Sequence, residues 1–330
     1  MARPRVFVTR RIPQVGLARI CEACDAEVWP GELPPPPEVL REKARDCEGL
    51  LTLLTDRIDA ALLDAAPRLK VVSNFAVGYN NIDVAEATRR GICVGNTPDV
   101  LTEATADMAL ALLLAAARRI VESADHARAG LWQTWQPLGF IGQDLCGKTV
   151  GVVGMGRIGF SFARRCHRAW EMRVLYHDVR PNPRAEAELD ARLVSFDELL
   201  AESDFVSLHA DLNPGTRHMF DAAAFRKMKR TAVFVNTARG GLVVQQDLVQ
   251  ALREGWIFAA GLDVTDPEPP AAEEPLLRLA NCVVAPHIAS ATVSSRNGMA
   301  EIAADNLLAG VAGKPLRAWV NPEVAPRRRL

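Results

Sequence analysis

Residues 149–159 read Thr-Val-Gly-Val-Val-Gly-Met-Gly-Arg-Ile-Gly, and no other stretch limits the fold as tightly. A short apolar run, a G-x-G-x-x-G at Gly154, Gly156 and Gly159, and an apolar helical pattern describe a strand, a tight turn and a helix in succession. Glycine at 154 permits the turn, glycine at 156 lets the backbone approach a pyrophosphate, and glycine at 159 lets helix and strand pack closely. The helix start, with Met155, Arg157 and Ile158 around it, offers unpaired N–H groups and a positive dipole end to phosphates. Asp178 stands nineteen residues after Gly159 and closes a second apolar run. A carboxylate there accepts from both ribose hydroxyls and repels a 2′-phosphate. The pattern predicts a dinucleotide site and favours NAD(H). Arg180, beyond Val179, leaves NADP(H) possible, because a guanidinium can hold a phosphate.

The rest of the chain alternates in the same way. Strand patterns at residues 6–9, 27–29, 49–54 and 70–73 are separated by helical patterns at 14–24, 39–46 and 62–66. The proline run 34–37 reads as a connector. A second series has strands at 149–153, 173–177, 205–209, 232–236, 259–263 and 282–285, with helices at 159–169, 196–201, 222–229 and 246–254. Between the series lie a helical tract, which opens at Thr102, stays rich in Ala and Leu to Arg119 and ends near Gly130, and an aromatic loop, 131–142, carrying Trp132, Trp135 and Phe140. Strand and helix in turn predict an α/β fold of two doubly wound parallel-sheet domains, Rossmann- and flavodoxin-like. The break falls near residue 100, at Asn96-Thr97-Pro98. A final helix at 292–308 either caps the second domain or returns to the first.

Composition excludes several classes. Lys and Arg total 39 against 40 Asp and Glu, a formal net charge of -1 over 330 residues, so there is no polyelectrolyte footprint for nucleic acid. The only tight basic run, 327–329, reads as a solvated tail. No stretch approaches the roughly 18–20 apolar residues of a membrane span. The N-terminus runs directly into a strand pattern without an apolar leader. The seven cysteines are scattered. Cys21 and Cys24 form a C-x-x-C inside a helical pattern and read as two helix-face thiols in a reducing cytosol, not as a zinc or redox site. A cytoplasmic protein with no metal, no membrane partner and no nucleic-acid partner is expected.

Three polar residues follow the ends of late strands, where ligands of open α/β sheets bind. Arg239 lies in Asn236-Thr237-Ala238-Arg239-Gly240-Gly241, Glu268 follows Gly261-Leu262-Asp263-Val264, and His287 follows Val283-Val284-Ala285-Pro286. Reducing a carbonyl requires a hydride on carbon and a proton on oxygen. Histidine is the natural proton donor near neutral pH. A carboxylate beside it steadies the imidazolium. A guanidinium pairs two-pronged with a substrate carboxylate and polarises the carbonyl. By spacing alone, a structural histidine, a surface ion pair and a loop carboxylate remain open.

Taken together, the segments 151–159, 236–241, 261–269 and 286–292 resemble the D-isomer-specific 2-hydroxyacid dehydrogenases, over nearly the whole chain from about Asp46 to Pro322. Residues 76–83, 96–102, 132–135 and 263–269 are most similar to the glyoxylate/hydroxypyruvate reductases within that family. The resemblance implies NAD(P)H-dependent reduction of a small 2-oxo acid, glyoxylate or hydroxypyruvate, to glycolate or D-glycerate. The alternatives are a dehydrogenase for a larger D-2-hydroxy acid, or an NADH-sensing scaffold. It implies that Arg239 binds the substrate carboxylate and carbonyl, that His287 is the acid/base and lies against the cofactor, and that Glu268 is its partner. Backbone N–H groups at Val77 and Gly78 would hold the substrate carboxylate. Thr105 and Asp263 would approach the nicotinamide end, Met155 to Ile158 the pyrophosphate, and Thr237 and Ala238 the cofactor cleft. Trp135 would reach the neighbouring subunit's site, implying a homodimer formed through about 102–142. The implied architecture is a discontinuous substrate-binding domain, 1–100 plus about 291–330, and a dinucleotide-binding domain, 101–290, with the active-site cleft between them. Asp178-Val179 departs from the Ser-Arg or Gly-Arg of NADPH-using relatives, and Ala289 stands where many relatives have glycine.

Overall fold

The computed structural model describes residues 3–329. Residues 1–2 and 330, which the N-terminal reading and the outer domain bounds include, lie outside the described residues. The chain divides into two compact units: residues through Leu101 joined by those from Ala291 onward, and Thr102–Ser290.

The first unit alternates from its start: β1 (Arg5–Val8), α1 (Gln14–Ala23), β2 (Asp25–Val28), α2 (Pro37–Ala44), β3 (Gly49–Thr52), α3 (Ala60–Ala65), β4 (Val71–Asn74), α4 (Val84–Arg89) and β5 (Cys93–Gly95). The strands form one parallel sheet in the order β2-β1-β3-β4-β5. Its central strands are mainly apolar, with Val6, Phe7, Leu50, Leu51, Val71 and Val72 fully inside, as helices on both faces require. Asp59 and Asp83 cap α3 and α4 by accepting from Leu62 N and Glu86 N.

In the second unit, α5 (Thr102–Ala117) and α6 (Ile120–Arg128) precede β6 (Thr149–Val153), α7 (Arg157–Trp170), β7 (Arg173–His177), α8 (Pro183–Leu189), β8 (Arg192–Leu193), α9 (Phe196–Glu202) and β9 (Phe205–Leu208). Then come α10 (Ala222–Lys227), β10 (Val233–Asn236), α11 (Gln245–Arg253), β11 (Ala259–Leu262) and β12 (Cys282–Val284). All seven strands are parallel, in the order β12-β11-β10-β9-β6-β7-β8. The order reverses between β6 and β9, so a ligand crevice lies at their carboxyl ends. The last helix, α12 (Val293–Val311), belongs to the first unit and packs on α1, β3 and β4. Gly310 makes that approach possible, since any side chain there would strike Val71.

The elements differ from the sequence reading where signals are short. The sequence reading has no counterpart for α4, β5, α8 and β8, and the two residues of β8 are too few to show a period. The tract from 102 to near 130 is two helices, because Arg119 turns into the left-handed region at φ 54°. Pro37 is not connector but the first residue of α2, where the missing N–H costs nothing. Cys24 lies just past α1, and burial pushes its thiol up to about 11. All seven cysteines are free. Among the described residues no helix is long and apolar enough to cross a membrane, and no cluster of His, Cys, Asp and Glu could hold a metal ion.

Candidate active site

The glycine turn is built from both sides. Gly154 adopts φ +92°, and a Cβ there would lie 2.7 Å from Ala210 N at the end of β9. A Cβ on Gly159 would strike the Gly154 carbonyl, whereas one on Gly156 would meet nothing within 4 Å. The three glycines thus divide the work into turn, open approach and close packing. Gly156 is the N-cap of α7 and supplies no side-chain cap, so the first N–H groups of a fourteen-residue helix are available to an anion. Arg157 begins that helix and Ile158 follows.

Asp178 sits one residue past β7 and holds the turn. Its Oδ2 accepts from Met155 N at 2.7 Å and its Oδ1 from Val179 N at 2.7 Å. The Met155 carbonyl is held in turn by Asn182 Nδ2 at 2.8 Å. Val179 is 94% exposed, and Arg180 is exposed beside it. The hydroxyl of Thr237 is buried with no hydrogen-bond partner. A glycine turn open at Gly156, an uncapped helix start, a carboxylate at the end of β7 and an orphaned hydroxyl fit a dinucleotide.

Because the sheet is parallel, every strand ends on the same edge, and three of those ends carry the reactive side chains. Arg239 follows β10, Glu268 follows β11 and His287 follows β12. His287 Nδ1 and Glu268 Oε1 are 2.5 Å apart. Burial lowers the pKa of Arg239, and the carboxylates of Glu268 and Asp211 oppose that shift, which places Arg239 within their electrostatic reach. Two features assemble the trio. Gly240 has no side chain to strike the Thr265 carbonyl, so the Arg239 turn lies directly on the segment leading to Glu268. Asn236 closes that turn, accepting from Ala238 N and donating to the Arg239 carbonyl, both at 2.9 Å.

His287 is held in an unusual backbone state, φ 53°, uncommon for a residue with a side chain. Asp263 accounts for its persistence. This fully buried carboxylate accepts from Ile288 N and Ala289 N, both at 2.8 Å. Burial raises its pKa and the two backbone N–H groups pull it back. Asp263 thus clamps the turn that carries the imidazole.

The remaining sequence candidates fall in separate places. Thr105 is buried in the first turns of α5, and Ala238 lines the Arg239 turn. Val77 and Gly78 lie in the first unit, half-buried in the loop beyond β4. Trp135 is 80% exposed in the loop 131–142, with Trp132 at 73%. Sequence reasoning missed Asn182, Asn236 and His209. Asn182 had a readable signal, an asparagine before Pro183 at a helix start. His209 had none: it becomes notable only because it is half-buried at the switch point, 2.9 Å from Ser207 Oγ and packed on Phe162.

This fold and site define a dinucleotide-dependent oxidoreductase. Residues 110–289 match the family model described as D-isomer specific 2-hydroxyacid dehydrogenase, NAD binding domain. A glyoxylate reductase of Korarchaeum cryptofilum is 51% identical over 327 residues, covering 99% of this chain and 98% of that one. A solved structure of a Thermus thermophilus protein superposes with a TM-score of 0.90 at 47% identity, covering 96% of this chain and 99% of that one. An NADPH-dependent glyoxylate/hydroxypyruvate reductase of Sinorhizobium meliloti, in complex with NADP and malonate, gives 0.85 at 32% identity, covering 100% and 99%. The chain belongs to the D-isomer-specific 2-hydroxyacid dehydrogenase family.

Proposed function

We propose that this protein reduces glyoxylate and hydroxypyruvate to glycolate and D-glycerate with NADH, and that His287 donates the proton. The observation that carries the reading is the 2.5 Å contact of His287 Nδ1 with Glu268 Oε1, with the half-buried Arg239 within electrostatic reach of Glu268. With Nδ1 engaged by the carboxylate, Nε2 is the nitrogen left to donate to the carbonyl oxygen. Arg239 pairs with the substrate carboxylate and draws electron density from the carbonyl. Backbone N–H groups at Val77 and Gly78 are assigned to carboxylate binding. When bound, the reduced nicotinamide supplies the hydride to the carbonyl carbon.

The first unit is assigned the substrate-binding role and the second the dinucleotide-binding role. Thr105 and Asp263 are assigned to the nicotinamide end, Gly154 to Gly159 to the pyrophosphate, Thr237 and Ala238 to the cleft, and Asp178, Val179 and Arg180 to the adenosine end. The carboxylate of Asp178 favours NADH over NADPH. Leu131, Trp132, Trp135, Leu138 and Ile141 expose a contiguous-sequence apolar segment, the kind of surface a second copy covers. We assign it to a homodimer in which Trp135 reaches the partner's site; sedimentation as a monomer at micromolar concentration contradicts that. Seven free thiols suit the cytoplasm.

The deciding experiment is a panel of glyoxylate, hydroxypyruvate, pyruvate and phenylpyruvate, run with NADH and with NADPH. Glyoxylate and hydroxypyruvate with NADH should give the largest kcat/KM, and His287→Gln should abolish turnover. A preference for phenylpyruvate points instead to a larger D-2-hydroxy acid, and full activity in His287→Gln removes the histidine from its role.

A further inference from the structure

The loop beyond β4 shows an order that the reaction alone does not require. In a trans peptide the carbonyl and the next N–H point in opposite directions. Three successive carbonyls in this loop are each held by a donor. Ala76 O accepts from Thr97 N at 2.9 Å. Val77 O accepts from Asn96 Nδ2 at 2.8 Å, and Gly78 O from Asn74 Nδ2 at 2.9 Å. The N–H groups of Val77, Gly78 and Tyr79 therefore face away from those anchors, and among the described residues none of the three has an acceptor. Consecutive N–H groups without an internal acceptor are available to an anion.

The anchors are themselves fixed. Asn74 is fully buried; its Nδ2 faces the Gly78 carbonyl, which can only accept and so fixes which end of the amide donates, and its Oδ1 accepts from Thr52 Oγ1 at 3.1 Å. The Asn96 carbonyl accepts from Asn306 Nδ2 at 2.9 Å, and Asn306, buried in α12, accepts from Ala318 N at 2.9 Å. Pro98 restricts Thr97 to extended backbone, the state in which its N–H reaches Ala76. Asn81 ties the far end of the loop to the Leu53 and Asp56 carbonyls at 3.1 and 2.9 Å.

We propose that Asn96 and Asn74 are positioning residues, which hold the 76–79 backbone so that its N–H groups meet the substrate carboxylate. The proposal rests on the function proposed above and adds the side chains on which carboxylate affinity depends. Neither asparagine touches substrate. Each acts through the carbonyl it holds, and bonding that carbonyl also polarises the attached N–H. A carboxylate held alike in the ground state and the transition state contributes to KM and not to kcat.

The test uses the full chain. Asn96→Ser withdraws the amide without adding charge, and Asn96→Asp replaces the donor with an acceptor. Asn321→Ala is the comparator. Asn321 is fully buried in the same unit and holds Val94 N and the Ile92 carbonyl, with no hydrogen bond to residues 76–79 among the described residues. Both Asn96 variants should raise the KM for glyoxylate and the Kd of oxamate about tenfold or more, with kcat within about threefold and the Kd of NADH unchanged. Asn96→Gln, which retains an amide donor, should recover part of that loss. Asn321→Ala should lower the melting temperature without moving KM. The proposal is overturned if Asn96→Ser keeps KM and the oxamate Kd within about twofold of wild type, or if Asn321→Ala moves KM equally. A wild-type chain that neither reduces glyoxylate nor binds oxamate overturns the functional reading along with it.

Discussion

Replacing Asp263 with asparagine probes the placement of His287 without touching the imidazole. The wild-type carboxylate offers both oxygens to backbone N–H groups at 2.8 Å from a fully buried position. The substituted amide would keep one acceptor and turn its N–H₂ toward the other donor. One charge-assisted bond is lost and a buried N–H is left unpaired, each worth about 1–3 kcal/mol. Removing the negative charge also relieves the desolvation that raises the Asp263 pKa, so the loss in global stability is the smaller part. The cost concentrates in the turn 287–289, which carries the left-handed residue. If about 2 kcal/mol of that reaches the transition state, kcat/KM falls about thirtyfold. Steady-state kinetics with glyoxylate and NADH should show this loss in kcat. An Asp263→Asn enzyme that folds and keeps kcat within about threefold of wild type refutes the clamp.

Asp178→Ser removes the carboxylate that opposes a 2′-phosphate, and the NADPH-to-NADH ratio of kcat/KM should rise by about tenfold or more; an unchanged ratio places cofactor choice elsewhere. Burial drops the pKa of His209 to about 3, whereas the unfolded chain titrates near 6.5. The unfolded state therefore binds more protons between those limits, and stability is lost as pH falls through that window, by about 1.4 kcal/mol per unit. Denaturation of wild type and His209→Gln from pH 7 to 5 should give a flatter dependence for the variant, and parallel curves contradict the buried neutral ring.

Much of the fold was legible because local signals and tertiary need agree. The glycines at 154, 156 and 159 mark a strand–turn–helix by spacing alone, and continuous apolar runs such as Val71-Val72 mark strands covered on both faces. Short pieces escaped. The two residues of β8 and three of β5 have no period to detect, and Arg119 gives no local sign that it ends one helix and begins another. In the site, Arg239, Glu268 and His287 stood out because each is a reactive type just past a strand.

Residue order alone determined that the second series is a parallel sheet, that its strand ends share one edge, and that a glycine turn opens there. These follow from spacing and strand polarity, which any chain with this pattern must obey. Only the tertiary structure decided what Asp263, Asn182, His209, Asn74 and Asn96 do. Each acts by hydrogen bonding or packing on groups that lie elsewhere along the chain, as when Asn182 reaches Met155 and Asp263 reaches Ala289. A polar side chain carries no local mark of the distant carbonyl or N–H it will meet; that partner exists for it only once the sheet has folded.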